Sequence, residues 1–113
     1  MPAGFDLDQI KMNVVKTAGS GVVNHETIFK FHQADDLVWA DYSGGPIVRG
    51  HLIGKMDGES LTFRYCQIDK TGNLDGGISN CDIDRKASGK LRMIERFLWE
   101  SRNETGENVF EEL

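Results

Sequence analysis

The chain has 113 residues, 39% hydrophobic and 27% charged, with 13 glycines against 2 prolines and a formal net charge of −5. That length fits one compact domain over 1–113, with 1–8 expected as a flexible N-terminal tail, and the hydrophobic fraction excludes wholesale disorder. The acidic balance argues against a nucleic-acid partner, and no run nears the roughly 18 apolar residues of a membrane span.

Apolar residues recur with period two, not 3.6. Segment 9–16 alternates Ile10, Met12 and Val14 with polar or mixed positions, and a small-residue loop follows over 17–24. Segment 26–33 carries Ile28, Phe29 and Phe31, then Asp35 and Asp36 turn the chain. Segment 37–42 (LVWADY) is rich in strand formers and ends at a strong turn, Ser43-Gly44-Gly45-Pro46. Segment 47–55 leads to the hairpin dipeptide Asp57-Gly58. Segment 61–68 (LTFRYCQI) is the clearest strand, and DKTGN turns again. A weak strand spans 77–83, and Gly76-Gly77 reads as a bulge or a closely packed strand. Segment 91–100 allows a helix through Leu91, Ile94 and Leu98. A strand is preferred, because Leu91, Met93, Phe97 and Trp99 share one alternating face. Segment 108–113 closes the chain. The result is about eight short strands at the spacing of an antiparallel meander. The fold expected is an all-β, single-domain, up-and-down barrel, which removes sheet edges by closure.

The string Tyr42-Ser43-Gly44-Gly45, Ile47 and Gly50-His51-Leu52-Ile53-Gly54 resembles a small bacterial family of calycin-like, lipocalin-like barrels. The resemblance continues through Arg64-Tyr65 with Gln67, Gly72, Glu95 with Trp99, Gly106 and Glu111-Glu112, covering 26–112. Phe97 stands where that family favours Trp, a change that keeps a large apolar ring. Its members often carry the label N-acetylglutamate synthase. The acetyltransferase domain of such enzymes binds acetyl-CoA through a glycine-containing loop (Q/R-x-x-G-x-G/A) opening a helix. No segment here matches it, so that activity is not expected.

Alternation assigns faces. Leu61, Phe63, Tyr65 and Gln67 point inward, as do Leu91, Met93, Glu95, Phe97 and Trp99. Val38, Ala40 and Tyr42 form a third inward face. In segment 47–53 the inward face is taken as Ile47, Arg49, His51 and Ile53, leaving Gly50 and Gly54 outside to ease a bend. The interior would then hold Tyr42, Arg49, His51, Tyr65, Gln67 and Glu95, with Ser79 beside them. Buried unpaired, each would cost about 1–3 kcal/mol, so they must pair with one another, with water or with a ligand.

The first reading is a small polar or amphipathic molecule bound inside the barrel by Tyr42, Arg49, His51, Tyr65, Gln67, Glu95 and Trp99. The alternatives are acid–base catalysis of an isomerase or cyclase type by Glu95 or His51, and a protein-interaction scaffold. Structural explanations compete at each position. Glu95 could pair with Arg49, and Tyr42 could be a corner tyrosine bonding backbone. Trp39 and Trp99 could simply pack, and Arg64, Arg92 and Arg96 could form a solvated face paired to acids. No GxSxG, P-loop or EF-hand pattern is present, and the histidines and cysteines lack ligand spacing, so no metal or cofactor is expected. Cys66 and Cys81 flank one turn and could be neighbours, but the chain starts without a secretory signal. A cytoplasmic monomer or homodimer with reduced thiols is expected.

Overall fold

A computed structural model describes residues 5–17, 22–101 and 103–113. The glycines expected in the tail and first loop (Gly4, Gly19, Gly21) lie outside them. The strands are β1 (Lys11–Thr17), β2 (Ile28–Ala34), β3 (Leu37–Gly44), β4 (Ile47–Asp57), β5 (Ser60–Asp69), β6 (Leu74–Arg85), β7 (Leu91–Trp99) and β8 (Glu104–Glu112). Each pairs antiparallel with the next, and β8 returns to β1 to close the barrel. All eight strands fall where the sequence places them, with β6 and β8 longer at their N-terminal ends than period two suggested.

Burial alternates strictly along β5 and β7, so Leu61, Phe63, Tyr65 and Gln67 face in beside Leu91, Met93, Glu95, Phe97 and Trp99. Segment 91–100 is a strand and not a helix. β4 departs from the expected phase. Its register slips at a bulge between Ile47 and Arg49, so two consecutive residues, Val48 and Arg49, lie outside. Beyond the bulge Gly50, Leu52 and Met56 point inward, while Arg49, His51 and Ile53 point to solvent. The glycines expected outside this strand are in the interior.

Antiparallel closure sorts the interior into two ends. At the end of the β2–β3, β4–β5 and β6–β7 turns, Phe31, Val38, Met56, Leu61, Ile83, Leu91, Met93 and Phe110 make an apolar plug. The N-terminal segment adds to it. Leu7 is fully buried, its amide donates to Gln33 Oε1 at 2.9 Å, and Gln9 N donates to Phe31 O at 3.0 Å. Of the segment expected as a loose tail, this described part therefore packs against the barrel. The opposite end, where β1–β2, β3–β4, β5–β6 and β7–β8 connect, carries the buried polar side chains. The β3–β4 turn there needs left-handed backbone at Gly44 (φ 114°) and Gly45 (φ 58°), which glycine adopts without strain.

Candidate functional site

Two tyrosines are seated by two glycines. A Cβ at Gly50 would fall inside the Tyr42 ring, so the bare backbone of β4 lets that ring lie across the barrel. The Tyr42 hydroxyl then reaches Gln67 on β5 and donates to its Oε1 at 2.8 Å. This is a side-chain bond, not the backbone bond of a corner tyrosine. On β6, a Cβ at Gly77 would collide with the Leu98 carbonyl and lie 2.9 Å from the Tyr65 hydroxyl. Gly77 is thus a closely packed strand position, as the sequence suggests, and it makes room for the second phenol.

Glu95 projects inward from β7. Ser79 Oγ donates to its Oε2 at 2.6 Å, and Asn108 Nδ2 donates to its Oε1 at 2.9 Å. Thr17 Oγ1 in turn donates to Asn108 Oδ1 at 2.6 Å, tying β1, β8, β7 and β6 into one network. Arg49 is exposed and takes no part, so the competing explanation of a Glu95–Arg49 pair gives way to neutral donors. Burial pushes the Glu95 carboxyl up, and the Ser79 and Asn108 hydrogen bonds pull it partly back. Burial and the negative charge of Glu95 likewise push both phenols up. At Tyr65 the neighbouring Trp99 side chain pulls the other way.

These groups surround a cavity of about 20 Å³, lined by Tyr42, Tyr65, Gln67, Glu95 and Asn108 among rings that include Phe97 and Trp99. A single water needs about 10–15 Å³ on such a scale, so the interior is nearly filled and has room for a water-sized group. Among the described residues one buried polar atom is left over: the Tyr65 hydroxyl has no partner at full hydrogen-bond geometry, although the Trp99 side chain lies close enough to favour its ionised form.

The structure therefore brings together Tyr42, Tyr65, Gln67, Glu95 and Trp99, with Ser79 behind them. It does not bring in Arg49 or His51. His51 is two-thirds exposed, with Nδ1 2.6 Å from Asp41 Oδ1 on the outer face, and Arg49 is exposed nearby. Both corrections follow from the β4 bulge, and they leave Glu95 as the one proposed acid–base group that reaches the cavity. Asn108 is the residue that the sequence reading missed. Period two counted back from Phe110 would have placed it inward. Cys66 and Cys81 are not neighbours. Cys66 is exposed opposite Gly76, Cys81 is buried opposite Leu61, and both are free. Outside, Arg92 binds Asp84, Arg96 binds Asp82 and Arg64 binds Glu100, giving the solvated face expected of these arginines. Trp39 stacks on His32 on the same outer surface. Among the described residues no group of three or more His, Cys, Asp or Glu side chains is placed to hold a metal ion.

A closed eight-stranded antiparallel barrel, apolar at one end and polar at the other, defines a small β-barrel of the calycin type. The chain matches the avidin-like protein family over residues 5–113 and belongs to it. Comparison with curated proteins and with solved structures returned no match.

Proposed function

We propose that this protein binds a small polar or amphipathic molecule at the polar end of its barrel, through Tyr42, Tyr65, Gln67, Glu95 and Trp99. The observation that carries this reading is the Tyr65 hydroxyl, buried at the cavity wall with no partner at full hydrogen-bond geometry among the described residues, the Trp99 side chain beside it. A buried hydroxyl without a partner costs about 1–3 kcal/mol, and a ligand atom entering the cavity would recover it. The avidin-like family and the eight-stranded closure support the reading, since barrels of this strand number are either filled or hold one small ligand. The cavity volume limits what enters to one small polar group, and the remainder of the ligand would lie at the mouth beside Val22 and Val23.

Native mass spectrometry of freshly purified protein, followed by NMR titration with small polar fragments, tests this. A retained small-molecule mass is the expected result, or failing that, shifts centred on Tyr65, Gln67 and the Trp99 indole. No retained mass together with shifts that are absent or confined to the outer face overturns it.

A further inference from the structure

We propose that the group entering the cavity is a small organic cation, a primary ammonium head seated beside the Glu95 carboxylate. This rests on reading the polar barrel end as a small-molecule pocket, and adds the ligand's charge and class.

Glu95 is only 5% exposed, and each of its oxygens accepts one hydrogen bond from a neutral donor. A carboxylate offers about four lone-pair sites, so acceptor capacity remains on the cavity side. Among the described residues the other buried polar side chains are Thr27, Gln67, Asp75, Ser79 and Asn108, and none is a cation. Arg64, Arg92 and Arg96 are engaged with carboxylates on the outer surface. A buried carboxylate without a counter-charge is costly, so alone Glu95 holds its proton to higher pH, and a bound cation would supply the counter-charge and favour the ionised form.

The rest of the wall fits the same charge. The titratable neighbours of Glu95 are Tyr42 on β3, Tyr65 on β5 and Cys81 on β6, with Asp75 of β6 beside Tyr65. All are neutral or acidic; the cation felt at Cys81, Arg96, lies on the outer face and is paired with Asp82, so the wall favours a cation over a carboxylate or phosphate ligand. Three ring pairs add to it: Phe29–Tyr42 at 4.2 Å, Phe63–Tyr65 at 6.2 Å and Phe97–Trp99 at 5.8 Å between centroids. Aromatic walls favour ammonium heads through the ring quadrupole. An ammonium head is close to water in size, which the cavity of about 20 Å³ admits. It carries only donors, and the Tyr65 oxygen and the Glu95 carboxylate are both acceptors.

The probes are methylammonium chloride, sodium chloride and methanol, a neutral molecule of matching size, titrated into wild type, Glu95→Gln and Tyr65→Phe. The readout is the Trp99 indole resonance, with whole-spectrum dispersion as the folding control. Methylammonium should give a saturable shift absent with sodium chloride, and bind about tenfold or more tightly than methanol, as charge-assisted pairing implies. Glu95→Gln should lose about that factor. Methanol binding as tightly as methylammonium in wild type, or a folded Glu95→Gln keeping full ammonium affinity, overturns the cation while leaving small-molecule binding in place. If neither probe shifts the Trp99 or Tyr65 resonances, the pocket reading falls with it.

Discussion

Tyr42 and Tyr65 are chemically the same side chain, in one cavity, with opposite hydrogen-bond status. The Tyr42 hydroxyl satisfies Gln67, whereas among the described residues the Tyr65 hydroxyl makes no hydrogen bond of full geometry. Removing the first oxygen strands the buried Gln67 carbonyl, and removing the second relieves a stranded group. Tyr42→Phe is therefore expected to cost about 1–3 kcal/mol, and Tyr65→Phe to be neutral or stabilising. Urea midpoints at unchanged m-value measure both, and the reverse order would remove the orphan hydroxyl from the argument. Glu95 makes the residue scale depend on pH. Its folded carboxyl holds its proton to higher pH than the unfolded one, so in the window between them the folded state binds more protons. Its contribution is full below the unfolded value and is lost as pH rises through the folded value. Glu95→Gln abolishes that titration. Measured from below the ordinary glutamate value of 4.5 upward, wild type should lose stability relative to the variant, and the gap should then level off. Parallel curves at every pH would show that Glu95 does not titrate with folding.

At the scale of the strand, β4 decides which residues can reach a ligand. Its bulge puts Arg49 and His51 in solvent and Leu52 in the core, where Leu52 is 1% exposed. Leu52→Ala is expected to cost about 2–5 kcal/mol, the range for a buried leucine. Arg49→Ser and His51→Ala should each stay within about 0.5 kcal/mol, as surface changes do, and leave the pocket resonances in place. Chemical denaturation of the three variants checks the phase directly, and a large loss in His51→Ala with a small one in Leu52→Ala would reverse it. The same strand shows what was legible in the sequence. β5 and β7 alternate without interruption, so Tyr65, Gln67, Glu95 and Trp99 could be read as inward from period two alone. β3 gave Tyr42 the same way. In β4 neither face was clearly the more apolar, because glycines share one face with Val48 and Leu52 while Ile47 and Ile53 sit with Arg49 and His51. A one-residue slip was then invisible, and it carried two candidates to the wrong side. Gly50 hid for a related reason, and Gly77 was legible only as a closely packed position: a glycine's role is set by the ring above it, which the strand's own sequence does not contain. Asn108 hid because an amide midway along an acidic strand looks like a solvated position until period two is counted back from Phe110.

At the scale of the whole barrel, closure is uneven, and that bears on how a ligand could enter a nearly filled interior. Among the described residues β1 and β2 share three register pairs, Lys11↔Lys30, Met12↔Phe29 and Asn13↔Ile28, whereas β4 and β5 share ten. The segment before β1 extends the short seam through Gln9 N to Phe31 O and Phe31 N to Ile10 O, but only at the apolar end. At the polar end the seam runs out beside Phe29, which lines the cavity with Val22 and Val23. Local opening takes the route with the fewest hydrogen bonds to break, so amides of β1 and of the start of β2 should exchange well before those of β4 and β5. Native-state hydrogen exchange should find Asn13 and Phe29 less protected than Leu52, Phe63 and Tyr65. A ligand held by Tyr65 of β5 and Glu95 of β7 would fill the cavity that this opening exposes, so it should slow exchange at the seam. Uniform protection around the barrel, or opening that begins at β4–β5, would overturn the β1–β2 seam as the point of entry.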